Sequence, residues 1–147
     1  MLGELDVEQV DQVLRSETIG RLGCIANGWP YVVPVAYVYE RGCVYAHSGE
    51  GLKLRAMREN PRACLEVEQM HSLANWRTVL VRGRFEELSG DDNDRALALL
   101  TARLARTETS ETARLVEHDD IVRREGIRRP ILFRLLVEEK TGRFELI

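Results

Sequence analysis

"TIGRLGCIANGWPYVVPVAYVYERGCVYAHS", running from Thr18 to Ser48, decides the fold. Two turn signals divide it. Asn27-Gly28 tolerates the left-handed backbone of a tight hairpin, and Arg41-Gly42 is a weaker form of the same signal. The runs between them are short and rich in Val, Ile and Tyr, which suit a pleated surface better than a helix. Three consecutive antiparallel strands are therefore expected. Pro34 interrupts the best of them, "YVVPVAYVY". Proline has no N–H to give a ladder, so this strand is either an edge or one that leaves its pairing and turns its backbone to a ligand.

Upstream, "LDVEQVDQVLRSE" reads as a helix capped by Asp6 with Gln9 three residues on, its apolar stripe formed by Val7, Val10 and Leu14. Downstream, Leu52 to Glu59 suits a short helix with Leu54 and Met57 facing the core, stopped by Asn60-Pro61. "RACLEVE" alternates, placing Ala63, Leu65 and Val67 on one face, and "WRTVLVRGRFEEL" is a long strand in which Gly83 suggests a bulge or bend. "GDDNDRALALLTARLAR" opens acidic and continues with good helix formers, as a helix dipole favours. Residues 108–127 read as a polar surface segment with a short helix around Asp119 to Arg124. "PILFRLLVEEKTGRFELI" reads as two strands about a Lys140-Thr141-Gly142 turn. Mostly consecutive strands with helices inserted at two places predict an α+β barrel of six or seven antiparallel strands with flanking helices, in a single domain spanning 1–147.

Composition narrows the function classes. A formal charge of −3 exerts no pull toward nucleic acid or anionic lipid. The candidate nucleic-acid contacts Arg55, Arg58, Arg62, Arg77, Arg82 and Arg84 are interleaved with acids and lack an aromatic stacking platform. No apolar run approaches the ~20 residues a membrane helix needs, and the acidic, amphipathic N-terminus is unlike a signal peptide, so a reducing cytoplasm is the expected compartment. Cys24, Cys43 and Cys64 are odd in number and lack Cys-x-x-Cys spacing. They are expected to be small core residues. His47, His71 and His118 are scattered. Cys43 and His47 share a strand face but stand roughly 13 Å apart at strand rise, too far to chelate one ion, so no metal is expected. No Ser or Cys sits in a nucleophile elbow.

The turn after Tyr45 is more informative. Among 21 basic residues only Lys53 and Lys140 are lysines, so a lysine is an uncommon choice in an arginine-biased chain. In "AHSGEGLKLRAMRENP", His47 and Ser48 end a strand, Gly49 and Gly51 permit tight turning, and Lys53 begins a helix. Backbone N–H groups at a helix N-terminus favour an anion, and Ser and Lys add hydroxyl and ammonium donors. Glu50 opposes a phosphate here unless its side chain points away. A plain strand-to-helix turn with a solvated lysine stays open as the alternative.

The ordered set "IGRLGCIANGWPYVVPVAYVYERGCVYAHSGEGLKLRAMRENPRACLEVE", "WRTVLVRGRFEEL" and "KTGRFE" resembles the FMN-binding split β-barrel of the pyridoxamine 5′-phosphate oxidase-like superfamily. Within it, the chain is most similar to the branch of 5-nitroimidazole-resistance and flavin-nucleotide-binding proteins. The resemblance implies a homodimer with two FMN sites at the subunit interface. It implies that the backbone of Val32, Val33, Pro34 and Val35 runs beside the flavin, that His47, Ser48 and Lys53 hold its phosphate, and that Trp76, Arg77 and Thr78 approach the ring from the partner. A histidine at the position of His47 is, in the nitroimidazole branch, implicated in reactivity. The Ser-Arg-Lys turn of the true pyridoxamine phosphate oxidases is reduced to Gly51-Leu52-Lys53, and their substrate-binding C-terminal Trp and Arg are not evident, which argues against vitamin B6 oxidation. The implied function is an FMN-dependent oxidoreductase acting on a small planar acceptor such as a nitroaromatic or quinone. The alternatives are a flavin carrier or sensor, or a same-fold protein using F420 or haem.

Overall fold

The structure, a computed structural model, describes residues 1–104 and 130–147. Chain order is β1 (Leu2–Glu4), α1 (Val7–Ser16), β2 (Ile19–Ala26), β3 (Trp29–Glu40), β4 (Cys43–Ser48), α2 (Leu52–Glu59), β5 (Arg62–Ser72), β6 (Asn75–Glu87), α3 (Gly90–Leu104) and β7 (Ile131–Leu146). The sheet order is β1-β7-β4-β3-β2-β5-β6, and β6 pairs again with β7. That last ladder closes β2 to β7 into an antiparallel barrel and leaves β1 as a short addition to the far end of β7. The fold is thus the expected α+β split barrel. The short helix expected around Asp119 to Arg124 lies outside the described residues.

Both hairpins form where the local signals put them. Asn27 and Gly28 have φ of 53° and 79°, and Arg41 and Gly42 have 49° and 74°, the left-handed pairs that match the twist of flanking strands. The cap of α1 also forms as read: the Asp6 carboxylate accepts the Gln9 N–H at 2.8 Å, and the Gln9 side chain accepts the Asp6 N–H at 3.0 Å. Its buried stripe is Val10, Val13 and Leu14, while Val7 stays in solvent.

Two departures have clear causes. Lys140-Thr141-Gly142 is not a turn, because β7 runs unbroken from Ile131 to Leu146, with these three residues opposite Val81, Leu80 and Val79. Gly142 serves close approach instead. A Cβ there would lie 2.8 Å from Leu5 and 3.0 Å from Val10, the side chains that bring α1 onto the barrel. Lys140 anchors the same contact, donating to Asp11 Oδ1 at 2.7 Å and to the Tyr39 hydroxyl at 3.1 Å. The second departure is β1, three residues held to β7, which have too little pattern of their own to be read as a strand.

One core fills the barrel, with Tyr37, Leu54, Met57, Leu65, Val79, Val81 and Leu135 fully buried. The Tyr37 hydroxyl donates to the Leu14 carbonyl at 2.8 Å and so satisfies a polar atom where α1 covers the core. A second cluster lies between α3 and the barrel, joining Ala96, Leu100 and Leu104 to Ala36, Tyr45 and Leu132.

Candidate functional site

β3 changes partners along its length. Trp29 to Ala36 pair with β2, whereas pairing with β4 begins only at Tyr37, opposite Ala46. Beyond Ala46, β4 continues beside β7, with His47 opposite Leu132 and Ser48 opposite Ile131. The two strands therefore part after Tyr37 and Ala46 and open a cleft in the barrel wall. The cleft has a volume of about 200 Å³. Pro34, Val35 and Ala36 form one wall, His47, Ser48 and Gly49 the other, and Lys53 enters from the first turn of α2.

Pro34 is now explained. It keeps its register opposite Arg21, so the strand does not leave its ladder with β2, but along this half the other edge has no partner strand. The Tyr37 N–H points toward β2, donating to the Thr18 carbonyl at 3.0 Å. Alternation along the strand then turns the nitrogen of Pro34 to the open side, where a missing N–H costs no ladder bond. The same alternation directs the backbone groups of Val32 and Ala36, and the carbonyl of Pro34, to that open edge. The other half of β3 lines a separate, larger and mostly apolar hollow of about 410 Å³, formed by Pro30, Tyr31 and Val32 together with Cys24, Ile25 and Cys64.

The cleft is electrostatically suited to an anion. Lys53 is half-buried, and burial pushes its ammonium below the ordinary lysine range, with only the Cys24 thiol opposing. Among the described residues Lys53 has no ion pair or hydrogen-bond partner. Gly51 begins α2 with no side-chain cap, so the first-turn N–H groups also lack a side-chain acceptor. Ser48 is buried, and its hydroxyl donates to the Gly49 carbonyl at 2.7 Å, so its single hydrogen has to turn from that carbonyl before it can be given to an anion. Glu50, the residue that opposed an anion on sequence, is drawn off: Arg58 donates to both its carboxylate oxygens, at 2.7 and 3.0 Å.

Of the residues singled out on sequence, Pro34, Val35, His47, Ser48 and Lys53 line the cleft together, with Val32 and Val33 adjacent on the same strand. Trp76, Arg77 and Thr78 lie elsewhere, on β6 opposite Met70, Gln69 and Glu68 of β5, and the Thr78 hydroxyl donates to Glu66 at 3.3 Å. Two residues were missed. Ala36 carries no chemical signal in its side chain, and the role of Arg58 depends on a pairing eight residues back that no motif encodes. Cys24 is buried as expected, whereas Cys64 is half-exposed and packs over Gly23, where a Cβ would meet its sulfur at 2.7 Å. Burial pushes the Cys24 thiol up, away from thiolate chemistry. No helix among the described residues is long and apolar enough to cross a membrane.

Comparison with known proteins agrees with this geometry. A FAD-binding protein from Mesorhizobium loti superposes with a TM-score of 0.74 at 28% identity, covering 98% of each chain. A Bacteroides thetaiotaomicron protein, provisionally described as a 5-nitroimidazole antibiotic resistance protein, superposes with a TM-score of 0.74 over 98% of this chain and 87% of its own, at 20% identity, and so shares the fold. An uncharacterized Rhizobium meliloti protein is 33% identical over 81 residues, 55% of this chain, and the match spans only 54% of that relative's length. The sequence profile of the pyridoxamine 5′-phosphate oxidase family matches residues 6–143, nearly the whole of the split barrel and both walls of its cleft, so the chain belongs to that family.

Proposed function

We propose that the cleft holds the phosphate end of FMN and that the chain, as a homodimer with the cofactor at the subunit interface, is a flavin-dependent oxidoreductase acting on a small planar acceptor of nitroaromatic or quinone type. The observation that carries this reading is Lys53: a half-buried cation with no ion pair among the described residues, beside the buried Ser48 hydroxyl, at the uncapped start of α2. A charge partly withdrawn from water gains from an opposite partner, and a phosphate is a partner this donor set fits. The Mesorhizobium relative named as FAD-binding supports a flavin, and the donors suit either flavin nucleotide because both carry a phosphate next to the ribityl chain.

When bound, the flavin supplies hydride and electron transfer. The chain's own residues supply position. Lys53 and Ser48 fix the phosphate, and His47 closes the cleft beside them. The open backbone edge of Val32, Pro34 and Ala36 offers N–H and C=O groups to the polar rim of a flat ring, while Val33 and Val35 keep water from the strand beneath. Trp76, Arg77 and Thr78 of the partner subunit would approach the ring, and a flat second substrate would stack against it.

The test is reconstitution with FMN, FAD, riboflavin, F420 and haemin in separate samples, followed by desalting and an absorption spectrum. Flavin bands retained with FMN or FAD are the expected result. A chain that stays colourless with both, or keeps only a Soret band, overturns the flavin assignment. Anaerobic NADH and NADPH then separate an enzyme from a carrier. Bleaching of the flavin by either one supports the enzyme, and a flavin that neither reduces supports a carrier or a different reductant.

A further inference from the structure

Glu50 sits between Gly49, which lines the cleft, and Gly51, which begins α2. A carboxylate one residue from a phosphate site is a liability, because like charges close together repel. Nothing in its immediate neighbourhood keeps it out: a Cβ at Gly49 or at Gly51 would have no atom within 4 Å, so the space around this loop is open. What holds Glu50 is Arg58, two turns along α2. Its Nη1 donates to Glu50 Oε1 at 2.7 Å and Oε2 at 3.0 Å, while its Nε and Nη2 donate to Glu87 Oε1 at 2.9 and 2.7 Å. One planar fork thus ties the loop to the last residue of β6, itself held opposite Phe133 of β7.

We propose that Arg58 is a positioning residue for the anion site. It holds the Glu50 carboxylate away from the cleft and neutralises it, so that Lys53 and Ser48 present a net attractive field. The proposal rests on the reading of the cleft as a flavin-phosphate site. An isolated exposed ion pair contributes little to stability, and this network lies largely in solvent, so a purely structural role for Arg58 predicts small effects everywhere. A positioning role predicts a selective effect. Loss of Arg58 turns a trio of net charge −1, one arginine against two glutamates, into one of −2 beside the phosphate.

The experiment titrates the full-length chain with FMN and with riboflavin, which lacks the phosphate, at low and at high salt. Arg58→Gln is expected to weaken FMN binding by about tenfold at low salt, as a single like charge within several ångströms does near a protein surface. Riboflavin binding is expected to stay unchanged, and the FMN effect to shrink at high salt. Glu50→Gln in the Arg58→Gln background is expected to restore FMN affinity to within about twofold of the starting protein. Restoration also excludes misfolding as the cause. Equal weakening toward FMN and riboflavin, or no rescue by the second substitution, overturns the positioning role while leaving the flavin site intact. An unaltered chain that binds FMN no better than riboflavin overturns the phosphate reading and the role of Arg58 together.

Discussion

Lys53 combines two properties that ordinarily exclude each other in a surface lysine: it is half-buried, and no carboxylate pairs with it among the described residues. Because burial lowers its pKa in the folded state, its ammonium disfavours the ligand-free fold at neutral pH. That penalty fades as pH rises through the lowered folded-state value toward the unfolded value of ~10.4. Lys53→Met is therefore expected to raise the melting temperature of the ligand-free protein at pH 7 and to flatten its rise with alkaline pH. The same change is expected to weaken FMN binding by about 10- to 100-fold, the worth of one charge-assisted hydrogen bond. A variant that melts no higher and binds FMN undiminished would mark Lys53 as an ordinary solvated side chain. Calorimetry with and without FMN across a pH series reads both effects.

Elements show where local signals suffice and where they fail. Asn27-Gly28 was legible because a left-handed pair is a property of the residues themselves. Gly83 marked the place of an irregularity, since the β6–β7 register shifts between Arg82 and Gly83, but the extra residue is Glu138 on β7, which sequence reading did not single out. The physical demand there is tertiary as well, since a Cβ on Gly83 would lie 2.7 Å from the Leu136 carbonyl oxygen. Gly83→Ala is thus expected to push β6 and β7 apart at the ladder that closes the barrel. A loss of about 2 kcal/mol, or a fall of about 4–8 °C in melting temperature, follows from such overpacking. Gly49→Ala, in open space, is expected to stay within about 0.5 kcal/mol. Equal melting of the two variants would refute this account of the bulge. Lys140-Thr141-Gly142 carried the same turn-like signal but was misleading, because the glycine is required by α1 packing above it and by nothing in the strand.

At the scale of the molecule, the β2–β3 hairpin carries exposed apolar side chains beside the open cleft: Val32 at 62% exposure, Ile25 at 41% and, at the turn, Trp29 at 76%. The proposed homodimer would cover this face and complete the flavin pocket with Trp76, Arg77 and Thr78 of the second copy. Light scattering at micromolar concentration is expected to give a dimer, and Val32→Asp a monomer that has lost FMN. A monomer that binds FMN as tightly as the unaltered chain would rule the interface site out. Residue types and short-range patterning determined the hairpins, the capped α1, the length of α2 and the turn that presents Ser48 and Lys53, since each depends on backbone preferences within a few residues. Barrel closure, the partner switch of β3 that opens the cleft, and the removal of Glu50 by Arg58 were decided only by tertiary structure. They rest on which strand edges meet and which charges face each other, and in this chain those contacts join residues far apart in sequence or across a turn that no local motif specifies.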